Sequence, residues 1–351
     1  MRTSESSVTT IAEIATRAGV STTTVSRVLS PSEHPVSESA RRRVLDAARE
    51  LDYHPSAAAR ALSRGRTRAV GIAVPDLANP YYTEILDLAQ EQARLVGYAV
   101  LCADFRRDPQ RLEEALHLFR SQRVDGVVIA GGGGRGSPDL AVLDRAHIPV
   151  VVVGRYPAPA VAVRVDNVEA GRLAAHHLAA RGHRSVGFIS GPEELTTVED
   201  RLLGFSQACE EASITLHVAP GDFKPYTGYL STRRLLAKGL GVTAICAAND
   251  QMAIGAMAAC ADAGTVVPDE MALMGFDDIP LASFVRPALT SVAISGRNLG
   301  CEAGRLLLAL IDGAEVPPVT WVDIRLVERD STVPGAAEAS ASPGEMRGGI
   351  E

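Results

Sequence analysis

The 351-residue chain holds no run approaching the roughly 20 consecutive apolar residues that span a bilayer, and residues 1–10 lack the apolar core of an export signal. The expectation is a cytoplasmic protein without membrane contact. Cysteine is sparse: Cys102, Cys209, Cys246, Cys260 and Cys301 are odd in number, scattered and never spaced C-x-x-C. That pattern suggests neither a disulfide frame nor a thiolate zinc site, and it reads as reduced core residues. Aromatics make up 4% of the chain, so Tyr81, Tyr82 and Phe223 stand out as stacking surfaces for a sugar ring or a base. A G-x-x-x-x-G-K-[ST] phosphate loop is missing. No nucleophile with an oriented base accompanies the adjacent acids Asp277 and Asp278, and ligand binding explains one of them more simply than catalysis. His176 and His177 are neighbours in a helical segment and point to different faces, which suits solvated or capping roles better than a shared metal. Neither an enzyme nor a cofactor or metal site is expected.

Positive charge is scarce overall, with a formal net charge of −7. It is not evenly spread. Residues 1–68 carry eleven basic against seven acidic side chains, net +4, which leaves −11 for the remainder. A basic amino-terminal segment on an acidic protein suits phosphate neutralisation, in which bound counterions are released from DNA.

In that segment, residues 10–29 fit two short helices joined by a glycine turn. Ile11, Ile14, Ala15 and Ala18 recur at the i, i+3, i+4, i+7 spacing that turns one helix face toward a core. Gly19 supplies the turn and Ser21 an N-cap. On the second helix Val25, Val28 and Leu29 point inward, leaving Thr22, Thr23, Ser26 and Arg27 outside. Arginine can donate twice to guanine O6 and N7, and threonine can bond base edges or touch a thymine methyl. A third amphipathic segment, Glu38–Leu51 behind Ser37, turns Val44, Leu45, Ala48 and Leu51 inward and presents Arg41, Arg42, Arg43 and Arg49. Tyr53–Gly65 then reads as a Pro-started, Gly-ended helix of about two turns, too short to hold in water unless something docks it.

From Ala69 onward apolar runs alternate with helical periods. Strands are expected over Ala69–Pro75, Tyr98–Ala103, Val124–Gly131, Ile148–Gly154, Ser185–Ser190, Thr243–Ala247 and Met271–Phe276, and helices over Tyr81–Val96 and Gln110–Gln122 among others. Strands apolar on both faces, alternating with helices, indicate parallel sheets in an α/β architecture. About ten βα units exceed one comfortable open sheet, so two lobes are expected, with a ligand beyond the carboxyl ends of the strands. Asp76 to Tyr82, Arg155, Asp166, Asn249, Asp250, Asp277 and Asp278 sit at those ends, and Arg201 offers a guanidinium fork.

The strings GVSTTTVSRVL (19–29) and YHPSAAARAL (53–62), followed by an effector-type domain, resemble the LacI/GalR bacterial transcription regulators over roughly residues 8–333. Residues 248–256 and 274–278 are similar to that family's effector-domain signatures. The resemblance implies an all-α helix-turn-helix headpiece at 9–54, a hinge helix and linker at 55–68, and a two-lobed α/β effector domain like a type I periplasmic binding protein, with parallel sheets, at 69–333. Residues 1–8 and 334–351 are expected to be disordered, and the tail lacks the apolar heptads of a tetramerising zipper. By resemblance Thr22, Thr23 and Arg27 read bases, while Thr10, Ser21, Thr24 and Tyr53 lie near phosphates. Ala59 and Leu62 enter the minor groove, with Leu62 as the wedge that kinks the duplex. Arg201, Asn249 and Asp277 bind the effector, Tyr82 and Phe223 flank it, and Arg155 and Asp166 complete the candidate set. The implied protein is a homodimeric repressor of a pseudo-palindromic double-stranded operator, controlled by a small molecule, a sugar or sugar derivative.

Two departures concern the effector: Gly154 stands where a family member has an aspartate, and the segment after Val292 lacks a glutamine often found there. Two other classes remain open. An exported solute-binding protein would share the large domain but need an export signal in place of residues 1–62. An NADP-dependent oxidoreductase would use the glycine run 131–136, which formally contains G-x-G-x-x-G with Arg155 ending the next strand, although it does not follow the domain's first strand as such a turn usually does.

Overall fold

The structure, a computed structural model, describes residues 9–29, 35–53, 66–131, 133–134 and 136–333. These form two compact units divided after Arg68. The hinge residues Ala59 and Leu62, like the terminal segments 1–8 and 334–351, lie outside the described residues.

In the first unit, α1 (Ile11–Ala18), α2 (Thr22–Leu29) and α3 (Glu38–Glu50) enclose one small core. A capping box opens α1: the Thr10 hydroxyl accepts from the Glu13 N–H and the Glu13 carboxylate accepts from the Thr10 N–H. Gly19 closes it in the left-handed region, with φ 63°. Ile14, Val25 and Val44 are fully buried, one from each helix. On α3 and its C-cap the positions packed in the core are Val44, Ala47, Ala48 and Leu51, with Ala40 also buried, whereas Leu45 is exposed. Four inward positions at i, i+3, i+4 and i+7 already fill the stripe, so Leu45 falls on its solvent side.

The second unit contains two six-stranded sheets. The first comprises β1 (Ala69–Val74), β2 (Ala99–Asp104), β3 (Gly126–Ala130), β4 (Val150–Val153), β5 (Val161–Arg164) and β11 (Val319–Trp321), in the order β11-β5-β4-β3-β1-β2 and parallel throughout. Its helices are α4 (Pro80–Leu95), α5 (Pro109–Ser121), α6 (Ala141–Asp144) and, returning late in the chain, α11 (Gly296–Ile311). The second comprises β6 (Ser185–Ile189), β7 (Thr215–Ala219), β8 (Ala244–Ala247), β9 (Ala272–Asp277), β10 (Thr290–Ile294) and β12 (Ile324–Val327), in the order β12-β10-β9-β8-β6-β7. Around it run α7 (Asn167–Ala180), α8 (Thr196–Glu211), α9 (Pro225–Ala237) and α10 (Asp250–Asp262). The chain crosses between the lobes three times: after β5, after β10 and after β11.

Strands such as β3, β8 and β9 are buried along their whole length, as residues covered by helices on both faces must be. The polar groups collect at one end of each sheet for a local reason. Asn79, Asp108, Asp166, Asn249 and Ser295 each cap a helix with a side-chain acceptor, and those helices follow strands or crossovers. Strand carboxyl ends and helix amino ends therefore share one rim. Helices α7 and α8 come into backbone contact there. A Cβ on Gly204 would sit 1.8 Å from the Val168 carbonyl oxygen, so no larger residue permits the approach that brings Arg201 under the rim.

Observed strand boundaries agree with the sequence reading to within two residues for the seven strands named from it. The sequence pattern does not mark the short or alternating strands β5, β7, β10, β11 and β12, and β12 pairs antiparallel with β10. Two minor expectations are corrected. His177 is neither solvated nor a cap: it is buried, its Nε2 lies 2.8 Å from the Thr332 hydroxyl, and burial pushes its pKa down. Cys102 is exposed on β2 rather than in a core. Among the described residues no helix is long and apolar enough to cross a membrane.

Candidate functional site

The first unit offers a compact polar surface on α2. Thr22, Thr23, Ser26 and Arg27 are all exposed, while Val25 and Val28 anchor the same helix to the core. Rigid anchorage matters, because base-edge hydrogen bonds require side chains held in a groove at fixed height and angle. Of the residues expected near phosphates, Thr10 and Ser21 are exposed and already used as caps. The Ser21 hydroxyl accepts from the Thr24 N–H at 3.2 Å and lies 3.0 Å from the Thr24 hydroxyl. Tyr53 packs partly buried against the headpiece core. Arg41, Arg42 and Arg43 are exposed on α3.

The second unit brings Tyr82, Arg201, Phe223, Asn249 and Asp277 together around one cleft between the sheets, with Gly154 also in its lining. Arg201, 4% exposed, is the best-connected of them. Its Nε donates to Asn167 Oδ1 at 3.0 Å, its Nη1 to the Ala248 carbonyl and its Nη2 to Asp277 Oδ1 at 3.3 Å. The guanidinium carbon also lies 4.8 Å from the centre of the Phe276 ring. Asn249 accepts from the Met252 N–H and donates to the Phe223 carbonyl at 3.0 Å, which fixes the aromatic wall relative to the α10 amino terminus.

Burial pushes the Asp277 carboxyl up to about 6, against the opposing pull of Arg201. Asp250, fully buried behind it, is raised well above the usual carboxylate range, again by burial first and by Asp277 second. It accepts from the Ser291 hydroxyl at 2.7 Å and the Ile279 N–H at 2.9 Å, holding β9 and β10 in place. The Tyr81 and Tyr82 hydroxyls are raised by burial and stay protonated donors.

Two expected effector residues stand elsewhere. Arg155 is absent from the cleft lining and donates to Asp200 at 2.9 Å, with Glu199 at 3.9 Å. Its charge reaches across from the β4 end to α8, so it links the lobes. Asp166 caps α7, accepting from the Glu169 N–H at 2.9 Å, and is exposed. The neighbouring Asn167 lines the cleft in its stead.

The glycine run does not open a helix as a dinucleotide turn does; the next helix is the four-residue α6. Gly134 instead forms an isolated antiparallel bridge with Leu195 of the other lobe, and the Thr196 hydroxyl donates to the Gly133 carbonyl at 3.1 Å. A side chain on Gly134 would place a Cβ 2.3 Å from the Glu194 carbonyl. These glycines serve the closeness of the lobes, which removes the NADP reading.

Arg107 was missed in the sequence. It follows β2 in a loop with no periodic signal, at φ 56°, and its guanidinium lies 5.7 Å from the Tyr82 ring centre and 5.1 Å from that of Phe223. Only the expectation of polar groups at every strand end would have found it.

Two family models match the chain: bacterial regulatory proteins of the lacI family over residues 10–56 and the periplasmic binding protein-like domain over residues 175–332. The HTH-type transcriptional repressor PurR of Mannheimia succiniciproducens is 34% identical over 307 residues, covering 86% of this chain and 92% of that one. Among solved structures, the lac repressor dimer bound to operator and the anti-inducer ONPF matches with TM-score 0.83 and 28% identity, over 93% of this chain and 99% of that chain. A complex of the transcriptional regulator CelR with cellobiose matches with TM-score 0.70 and 30% identity, over 92% and 99%.

Proposed function

The chain belongs to the LacI family of bacterial regulatory proteins, as a ligand-responsive DNA-binding repressor, and from that premise we propose a homodimer whose operator binding is governed by a sugar or sugar derivative in the interlobe cleft. The observation that carries the effector half is the convergence of Arg201, Asn249 and Asp277, all at most 8% exposed, beneath the aromatic residues Tyr82 and Phe223. Buried donors and acceptors beside aromatic faces suit a ring bearing hydroxyls. The complex of CelR with cellobiose supports that ligand class, and the lac repressor dimer on its operator supports the assembly.

In this reading Thr22, Thr23 and Arg27 read base edges in the major groove, and Thr10, Ser21, Thr24 and Tyr53 position the headpiece on phosphates. Ala59 and Leu62, outside the described residues, enter the minor groove. Two copies related by a two-fold axis read the halves of a pseudo-palindrome. The effector favours one arrangement of the lobes, and its leverage on DNA equals its difference in affinity for the two arrangements. Arg155, Gly134 and Thr196 already bridge the lobes and are where that difference is expressed.

Selection from random DNA with the full-length protein tests the reading. The expected product is a two-fold symmetric site that a dimer occupies and that a cleft-binding sugar causes it to release or retain. A monomeric complex on an asymmetric site would overturn it.

A further inference from the structure

The effector reading accounts for Arg201 but leaves Arg107 with unfinished chemistry. Arg107 donates from Nη1 to Asp76 Oδ2 at 3.3 Å, and its side chain is 15% exposed. Its Nε and Nη2 are buried without a hydrogen-bond partner. The Tyr82 hydroxyl is close enough for the guanidinium to oppose the upward push of burial on its pKa, but it makes no hydrogen bond with Nε or Nη2. In a guanidinium, Nε and Nη2 make up one edge, with two parallel N–H bonds at the spacing of the two oxygens of a carboxylate or phosphate. A buried cation seldom leaves such an edge unused.

The position of Arg107 adds a second observation. Arg107 lines both the main cleft and a side chamber of about 160 Å³, and Tyr82, Gly131 and Leu195 are likewise shared by the two. The chamber is walled by Pro75, Phe105 and Leu112. One of its hydroxyls, on Ser137, accepts from the Gly134 N–H at 2.8 Å. Glu194 is the carboxylate on its wall, and that residue is exposed to solvent. On Arg201 the corresponding Nε and Nη2 edge is already bonded, to Asn167 and Asp277, which leaves it single N–H groups rather than that fork to offer a ligand.

We propose that the effector is anionic, carrying a carboxylate or phosphate whose two oxygens accept from Nε and Nη2 of Arg107, while the rest of the molecule lies against Asn249 and Asp277. This rests on the effector-cleft reading and narrows it from sugars in general to acidic sugar derivatives. Asp76 holds the far end of the guanidinium and so orients the free edge.

The test is calorimetry on the full-length protein with hexuronic and aldonic acids, hexose phosphates, their neutral parents and free nucleobases, each followed by an operator-release assay. The expected result is an acid that binds on the order of tens-fold more tightly than its neutral parent. Arg107→Met erases that preference, and Arg107→Lys, which keeps the charge but loses the fork, retains part of it. The class that binds separates carboxylate from phosphate. Thermal melts of both variants report whether they are folded, and the lysine variant carries the test if the methionine variant is not. A neutral sugar or a nucleobase that binds best and releases operator overturns the anionic proposal and leaves the effector cleft standing. Equal binding of the acid to wild type and Arg107→Met, or no binding by any acid, also overturns it. An acid that binds with this preference but leaves operator occupancy unchanged overturns the cleft's regulatory reading instead.

Discussion

Arg201 and Asp277 meet at 3.3 Å with each side chain only 5% exposed, joining the first half of α8 to the last residue of β9. The pair lies in a low-dielectric cleft where neither charge is tolerated alone. Arg201 also bonds the Ala248 carbonyl and Asn167, so one side chain ties together the ends of β8 and β9 and the start of α7.

Arg201→Met therefore strands Asp277 as a buried, unpaired carboxylate. The expected loss is about 3–5 kcal/mol in urea unfolding at pH 8, with a smaller loss at pH 5, where Asp277 takes up a proton and the stranded charge disappears. Equal losses at the two pH values would show that the pair is not what the substitution breaks.

Asp277 also gives the folded protein a pH signature. Its folded pKa of about 6 lies above the unfolded value of about 3.9, so the folded state binds the proton more tightly. The stability this contributes is fully present below about pH 4 and is lost as pH rises through about 6. Asp277→Asn removes this part of the slope, and thermal melts across pH 4–7 should be flatter for the variant than for wild type.

Much of this cleft was legible in the sequence because capping and strand ends coincide. Asn249 and Asp277 stand directly after apolar runs that can only be buried strands, so their place on the rim follows from chain direction alone. Arg155 satisfied the same criterion yet bonds Asp200, 45 residues away. Which way a long side chain turns at a strand end depends on the opposite lobe, and local pattern carries no information about it. Asp166 and Asn167 differ by one position, and the α7 cap chose between them. Arg107 sits in a loop whose left-handed backbone no periodicity announces. The headpiece was read more completely, apart from Leu45, because three short helices around one core leave the apolar spacing little freedom.

Gly134→Ala tests whether closeness of the lobes matters to binding. The added methyl would lie 2.3 Å from the Glu194 carbonyl oxygen, a backbone atom that cannot swing aside, so the two loops must separate. Effector affinity should fall several-fold, and small-angle scattering should show a larger radius of gyration for the variant. An unchanged affinity would mean that the Gly134–Leu195 bridge plays no part in the liganded arrangement.

Arg27 and the arginines of α3 should fail differently on DNA. A base-reading arginine contributes discrimination at one base pair, so Arg27→Ala should cost about 1–3 kcal/mol on the selected operator and much less on DNA altered at that pair. A phosphate-contacting arginine loses affinity for every sequence alike, and the salt dependence of binding falls by about one unit of slope. Binding measured at several salt concentrations, on the selected site and on single-pair variants, separates the two. Arg27 is exposed on a helix that Val25 and Val28 hold against the core, so its removal should leave the headpiece folded, and the lost energy then reports on DNA alone. A uniform loss across all sites, with the slope reduced by one, would move Arg27 from the base readers to the phosphate contacts and leave Thr22 and Thr23 to choose the sequence.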